Sequence, residues 1–314
     1  MIAADDFSAI PLRISDLRHS FGTRKALDGL NLQVEAGGIC GIVGPDGAGK
    51  TTALRICSGL IDPVSGSVTV FGMDPRSVQA RDFVGYMPQM YSLYGDLSVI
   101  ENLKFFGKMF CLDRKTFNDR AERLLSITML KEFVDRRADA LSGGMYKKLA
   151  LAAVLISRPR LLLLDEPTNG VDPVSRAELW DLLYEFVSEG STVVVSTAYM
   201  DEAARCSKVG LLSEGRLIAE GSPHDLRSRF TGTVFYLAEA EGQSTGVQIH
   251  KLIDSMRADI QAVTPSGNGF RVLASSAQVG SARGQIAGAG LVPVEVSPSF
   301  EDIFISSFLE NSDG

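Results

Sequence analysis

The sequence predicts an α/β fold with a largely parallel sheet covered on both faces, followed by a smaller α+β unit. Three observations predict it. A short apolar run, GGICGIVG, ends in a glycine-rich loop and passes into the helical stretch TTALRICSGL. Two near-continuous apolar runs, RLLLLDEP and STVVVSTAY, flank the helical stretch SRAELWDLLYEFVSEG, as parallel strands buried on both faces do. Beyond about His224 the strand and helix signals recur in the order βαββαβ, the split-βαβ arrangement.

The elements follow in order. Alternating apolar residues in PLRISDL (11–17) and NLQVEAG (31–37) predict early strands around a turn-like segment, FGTRKALDG. SGSVTVFG reads as a further strand with turns at either end, and FVGYMPQ as another. From about Leu93 to Ser157 the spacing becomes helical, in ENLKFFGKMF, FNDRAERLLSITML and MYKKLALAAVLIS. After the two apolar strands, KVGLLSEGRLIAEGSP predicts a hairpin turned at SEGR. In the second unit TVFYLAEA, DIQAVTP, GFRVLAS and LVPVEVS are strands, HKLIDSMR and VGSARGQIAGAG helices, and SGNG a tight turn. SFEDIFISSFLE closes as an amphipathic helix with Phe300, Ile303, Phe304 and Phe308 on one side, a stripe for its own domain or for a partner subunit. The expected domains are a tail over 1–10, a main domain over 11–223 and an accessory domain over 224–314.

A length of 314 residues suits two domains, or one large domain with an appendage. The formal charge of −7 argues against a nucleic-acid partner, which draws on a basic excess. Cys40, Cys57, Cys111 and Cys206 are scattered, as are the three histidines, so no zinc site is expected and the cysteines read as small apolar residues. MIAADDFSAI is acidic and lacks the apolar core of a secretory signal. The richest apolar stretch, LALAAVLISRPRLLLLD, is cut by Arg158, Pro159 and Arg160, which leaves less than the ~20 residues a membrane-spanning helix needs.

Three short segments carry chemistry. GPDGAGKT (44–51) fits G-x-x-x-x-G-K-[ST] between a strand and a helix. Gly44, Gly47 and Gly49 let backbone N–H groups curl around phosphate oxygens, Lys50 reaches the β and γ phosphates, and the Thr51 hydroxyl suits Mg2+. Thr52 is expected to begin a helix whose positive end faces the anion. LLLLDEP (161–167) delivers Asp165 and Glu166 to the sheet edge, Asp165 for the metal shell and Glu166 to orient or deprotonate an attacking water. LSGGM (141–145) places a serine and two glycines before a long helix; alone, that serine is an ordinary helix cap.

In this order these residues resemble one family, the nucleotide-binding subunits of ATP-binding cassette (ABC) transporters. LSGGM is similar to the family signature, GPDGAGKT to its Walker A loop and LLLLDEP to its Walker B strand. The resemblance makes Gln89 of YMPQ the Q-loop glutamine, Asp172 of TNGVD the D-loop aspartate and STAYMDEA the switch region. Phe21 resembles the aromatic that stacks on adenine. The likeness runs from about residue 11 to 223, and PSFEDIF resembles a C-terminal motif of ATPase subunits of ABC-2 type exporters. The implied fold is a phosphate-loop ATPase core with an antiparallel β subdomain and a helical subdomain (about 93–157), plus a small C-terminal split-βαβ domain. The implied ligands are ATP and Mg2+. Phe21 and the loop residues Gly44, Pro45, Asp46, Gly47, Ala48, Gly49, Lys50, Thr51 and Thr52 would bind this chain's nucleotide. Ser142, Gly143 and Gly144 would cap the γ-phosphate of an ATP held by a second cassette. Thr51, Gln89 and Asp165 would serve the metal, and Glu166, Lys50, Gln89 and Asp172 would form the catalytic set.

The implied partners are a membrane permease on separate chains and a second nucleotide-binding domain, at the cytoplasmic face of the membrane. The exposed face of YSLYGDLSVIENL is expected either at the permease or in the helical subdomain's own core. Two residues depart from the family pattern. Ala198 stands where members carry a histidine that contacts the γ-phosphate, and Asp46 stands where asparagine is common. This pair resembles the amino-terminal ATPase half of tandem ABC-2 exporters, which favours a heterodimer of unequal sites over a homodimer. A non-catalytic ATP-sensing cassette, or a soluble cassette attached to no transporter, is the alternative.

Overall fold

Alternation of apolar and polar residues builds the first sheet in the computed structural model, which describes residues 10–90, 92–238 and 260–312. Strands β1 (Leu12–Phe21) and β2 (Arg24–Val34) pair antiparallel, and β4 (Ser65–Val70) pairs with the other side of β1. Leu12, Ile14, Leu17, Leu30, Leu32 and Val34 are buried beneath it. FGTRKALDG is therefore strand rather than turn, apart from Gly22 and Thr23. Register shifts follow Ile14, Leu17 and His19, where Asp16 (φ 44°) and Gly29 (φ 88°) hold bulged backbone, so pairing continues while the sequence alternation breaks.

The second sheet collects the near-continuous apolar runs. Its strands are β3 (Ile39–Val43), β5 (Val84–Met87), β6 (Leu161–Asp165), β7 (Thr192–Thr197), β8 (Lys208–Ser213) and β9 (Arg216–Gly221), in the order β5-β6-β7-β3-β8-β9. The pairs from β5 to β8 are parallel, and every residue of β3, β6 and β7 is buried. Helices α1 (Lys50–Cys57) and α6 (Pro173–Ser188) supply the crossovers beside β3 and β7. Between them lie α2 (Val78–Arg81), then α3 (Val99–Met109), α4 (Arg114–Ile127) and α5 (Gly143–Leu155), and these last three pack on one another. Ser98 and Glu101 close a reciprocal capping box at the start of α3. Over residues 92–103 Val99, Asn102 and Leu103 are buried in the helical subdomain, whereas the Tyr94 ring is half-exposed, 4.6 Å from that of Phe105. The loop between β8 and β9 has positive φ at Glu214 and Gly215, the backbone of a two-residue hairpin turn. The first compact unit ends at Leu217 and the second begins at Ile218.

After the end of β9 the second unit holds α7 (Pro223–Arg229), which the sequence reading passed over although Ser222 and Asp225 form a capping box there. Strands β10 (Thr233–Ala238), β11 (Ile260–Ser266), β12 (Gly269–Ala274) and β13 (Val294–Val296) form an antiparallel sheet in the order β11-β12-β10-β13. That is the order a split βαβ produces. Helix α8 (Val279–Gly288) contributes Ala282 and Ile286 to a core with Phe235, Leu237, Val272 and Ala274. HKLIDSMR lies outside the described residues. Strand β13 is shorter than LVPVEVS suggested, and Pro293, without an N–H, precedes its first residue.

Helix α9 (Phe300–Ser312) buries Phe300 and Ile303, while the Phe304 and Phe308 rings stack at 6.5 Å and are half-buried. Its first turn gives SFED a structural purpose. Asp302 Oδ2 accepts from Ser299 N and Oγ, both at 2.7 Å, and Ser299 Oγ accepts from Asp302 N at 3.2 Å. Arg271 of β12 then clamps the same carboxylate through Nε (3.0 Å) and Nη2 (2.7 Å). Arg271→Met, which strands a carboxylate only 2% exposed, is expected to cost about 3 kcal/mol, and Ser299→Ala about 1 kcal/mol, in chemical denaturation.

Candidate functional site

The loop after β3 is built by close backbone approach. A Cβ on Gly44 would collide with the Leu212 carbonyl of β8, and one on Gly49 with the Ala26 carbonyl of β2. Gly47 (φ 80°) and Gly49 (φ 108°) adopt backbone that side chains resist. Gly49 precedes the first turn of α1, which turns Lys50 inward until 3% of it is exposed. Its Nζ donates to the Gly44 (2.8 Å) and Pro45 (3.0 Å) carbonyls and lies 3.1 Å from Glu166 Oε1. A cavity of about 570 Å3 opens above, lined by Phe21, Arg24, Ala26, Asp46, Gly47, Gly49, Lys50, Thr51, Thr52, Gln89 and Glu166. Phe21 is 54% exposed at its rim.

The end of β6 supplies the carboxylates. Asp165 is wholly buried; its Oδ1 accepts from Thr51 Oγ1 (3.1 Å) and Ser196 Oγ (2.7 Å), and its Oδ2 has no hydrogen-bond partner. Glu166 takes a left-handed backbone (φ 47°), pinned where its N–H donates to Ser196 O and Oγ, each at 3.1 Å. Its Oε2 accepts from Gln89 Nε2 (2.7 Å) and Asn169 Nδ2 (3.0 Å). Lys147, in the second turn of α5, donates to the Gln89 carbonyl (2.9 Å) and approaches the Glu166 carbonyl (3.5 Å). Burial pushes the Lys147 ammonium below the usual lysine range, against the opposing pull of Asp165 and Glu166.

The chemistry of these oxygens fits Mg2+. An unpartnered buried carboxylate oxygen beside a threonine hydroxyl is a partial hard-oxygen shell, of the kind that substrate phosphates and water complete. Among the described residues no group of three or more His, Cys, Asp or Glu could hold an ion by itself.

A second group assembles away from that cavity. Ser142 caps α5, its Oγ accepting from Met145 N at 3.3 Å, and Ser142 and Gly143 are exposed. Gly144 is packed so closely on α6 that a Cβ there would collide with Ser175. Asp172 caps α6, its Oδ1 accepting from Val174 N (3.1 Å) and Ser175 N (3.0 Å), and these bonds hold its carboxyl below the usual range. Ser142, Gly143, Gly144 and Asp172 line none of the cavity. The expected site residues thus fall into two groups on one chain: Phe21, the glycine loop, Gln89, Asp165 and Glu166 in one, the signature serine and glycines with Asp172 in the other.

Beyond β7, Ala198 lines a smaller cavity of about 200 Å3 with Asp46, Glu166, Thr168, Asn169, Thr197 and Tyr199. The Thr197 hydroxyl beside it is already engaged. Thr197 Oγ1 donates to Glu202 (2.6 Å) and accepts from Tyr199 N (3.0 Å), and the Tyr199 ring lies under Arg176. Glu202, fully buried, also accepts from Trp180 Nε1 at 3.2 Å. Sequence reasoning missed Arg24, Lys147, Asn169 and Ser196. Only Lys147 left a signal, as half of a lysine pair in an otherwise apolar helix; its neighbour Lys148 is buried against Glu178.

Comparison with known proteins agrees with this geometry. A family profile described as ABC transporter matches residues 27–169. The probable multidrug ABC transporter ATP-binding protein YbhF of Escherichia coli (strain K12) is 44% identical over 216 residues, 68% of this chain. This chain spans only 37% of YbhF's length. The Nod factor export ATP-binding protein I of Rhizobium sp. (strain N33) is 36% identical over 303 residues, covering 95% of this chain and 97% of its own. Among solved structures, a dimeric ATP-binding cassette in a post-hydrolysis state with ADP and Pi is 26% identical, with TM-score 0.61, over 67% of this chain and 98% of that one.

The loop geometry makes a direct prediction. Gly49→Ala forces both a left-handed alanine and a backbone collision and is expected to cost more than about 2 kcal/mol in urea denaturation. Gly170→Ala, at φ 73° with open space around it, meets only the backbone penalty, about 1–2 kcal/mol.

Proposed function

This chain belongs to the ABC transporter family, and on that premise we propose that it is the ATP-binding and ATP-hydrolysing subunit of a membrane exporter of the ABC-2 type. The observation that carries the reading is the division of the site into two groups. One chain offers a phosphate cradle with its carboxylates in one place, and an exposed serine–glycine helix start beside Asp172 in another. A second cassette facing it head to tail unites the cradle of each with the serine–glycine cap of the other. The exporter assignment draws on the relatives, one named for multidrug transport and one for Nod factor export.

The residues then divide the work. Phe21 stacks on the adenine, and the loop amides with Lys50 hold the phosphates. Thr51, Asp165 and Gln89 would hold Mg2+, which when bound draws charge off the β and γ phosphate oxygens. Glu166 orients the attacking water, its carboxylate steered by Gln89 and Asn169. Ser142, Gly143 and the start of α5 cap the γ-phosphate of the partner's ATP, and Asp172 lies at that same contact. Closure lasts while the γ-phosphate favours it and ends with its loss.

Ala198 makes this chain's own turnover slow. It leaves a cavity beside Glu166 with no donor from position 198, and one missing preorganised donor costs roughly 10²–10³ in rate. Binding persists because the loop and Lys50 supply it. The unequal site favours a heterodimer in which this chain lends an intact cap to a more active partner cassette. No helix among the described residues is long and apolar enough to cross a membrane, which fits a subunit docked on a permease made of other chains. The exposed face of YSLYGDLSVIENL, where the Tyr94 ring is half-exposed against that of Phe105, is the proposed docking face.

Two outcomes test this reading. Lys50→Ala abolishes Mg-ATP binding measured by calorimetry on the full chain. Ala198→His raises the ATPase rate of the assembled complex by about 10²-fold at this chain's site; an unchanged rate removes the unequal-site proposal and leaves the family assignment standing.

A further inference from the structure

We propose that Arg24 is a direct phosphate ligand of the nucleotide cavity, its guanidinium meeting the terminal phosphates beside the glycine loop. The inference rests on the reading of that cavity as an ATP site.

Phe21 and Arg24 are directly opposed across the two-residue turn Gly22–Thr23. Opposed residues of an antiparallel pair project from the same face of the sheet. The aromatic ring and the guanidinium therefore look onto one space, and both line the cavity. Arg24 also reaches across to the loop, since a Cβ on Gly47 would stand 2.9 Å from its Nη2. Gly47 lies in the middle of the phosphate-wrapping segment, three residues before Lys50.

Charge accounting separates Arg24 from its neighbours. Arg18, Lys25 and Arg216 are all drawn to Asp28, at 2.7, 3.4 and 2.7 Å. Arg24 has no side-chain hydrogen bond or ion pair among the described residues. The charged groups lining the cavity are Arg24, Lys50, Asp46 and Glu166, and Lys50 is already engaged by Glu166 and two carbonyls. Arg24 is thus the uncommitted cation of that lining. Its planar fork of donors suits phosphate oxygens better than an ammonium does. It also answers the departure at Asp46, whose carboxylate is 93% exposed and adds a negative charge where a polyanion must sit. A cation facing the loop offsets that repulsion while bonding the phosphate itself.

The test is calorimetric titration of the full chain with Mg-ATP, Mg-ADP and AMP. Arg24→Met is expected to weaken Mg-ATP and Mg-ADP about tenfold and AMP less than about twofold, with the ligand-free melting temperature unchanged. Arg24→Lys should recover part of the loss, because a point charge replaces the fork. The same loss should persist in an Asp46→Asn background. If Asp46→Asn cancels the effect of Arg24→Met, Arg24 acts only on that carboxylate and the inference is overturned. It is equally overturned if the parent chain binds Mg-ATP and Arg24→Met binds it as tightly. A parent chain that binds no nucleotide brings down the ATP reading and this inference together.

Discussion

The left-handed turn at Glu166 is the constraint around which the site is arranged. A parallel strand that continued straight would send Glu166 onward with its ladder, but the backbone turns at φ 47° as soon as β6 ends. The neighbouring strand holds that turn: the hydroxyl and carbonyl of Ser196 both accept the Glu166 N–H, and the same hydroxyl donates to Asp165. One serine on β7 therefore fixes Asp165 and Glu166 together, the carboxylates proposed for the metal and for the water. Gln89 from beyond β5 and Lys147 from α5 arrive at the same point, so with β6 and β7 four elements distant in sequence share one polar junction. Strain of this kind persists only where surroundings over-determine it.

Much of this was legible in the sequence, for physical reasons that also mark where legibility stopped. Strands buried on both faces announce themselves as unbroken apolar runs, which is why β3, β6 and β7 were read correctly. The glycine loop was legible because backbone approach to the Leu212 and Ala26 carbonyls tolerates no side chain. Bulged strands were not, since Asp16 and Gly29 interrupt the alternation that identifies a strand, and the start of β2 read as turn. Ser196, Asn169 and Arg24 were invisible for a different reason. Each is a common residue whose role comes from the partner that folding brings to it, across a sheet, a turn or a loop.

The division of the site into two groups bears on what one chain can do. The phosphate cradle and the serine–glycine helix start are each finished locally, by a glycine packed on backbone in one and by Gly144 packed on Ser175 in the other. Neither depends on the other for its shape. A change at position 198 can therefore leave the serine–glycine helix start intact, because no described hydrogen bond ties Ser142 to the Glu166 cluster directly. The connection that does exist runs through Lys147, one and a half turns along the helix that Ser142 caps.

If the cavity holds ATP as proposed, the Lys50–Glu166 contact would make nucleotide loading an exchange of counterions. The ammonium is almost fully desolvated and is balanced by the carboxylate at 3.1 Å, so a phosphate oxygen that takes the lysine takes it from the glutamate. On the proposed function, Glu166 would lose that contact as the phosphates arrive, stay held by Gln89 and Asn169 to orient a water, and regain Lys50 when the phosphates leave. Such an interlock would keep the carboxylate balanced while the cavity is empty of phosphate, and it would make the lysine as much a guard on the glutamate as a grip on the nucleotide.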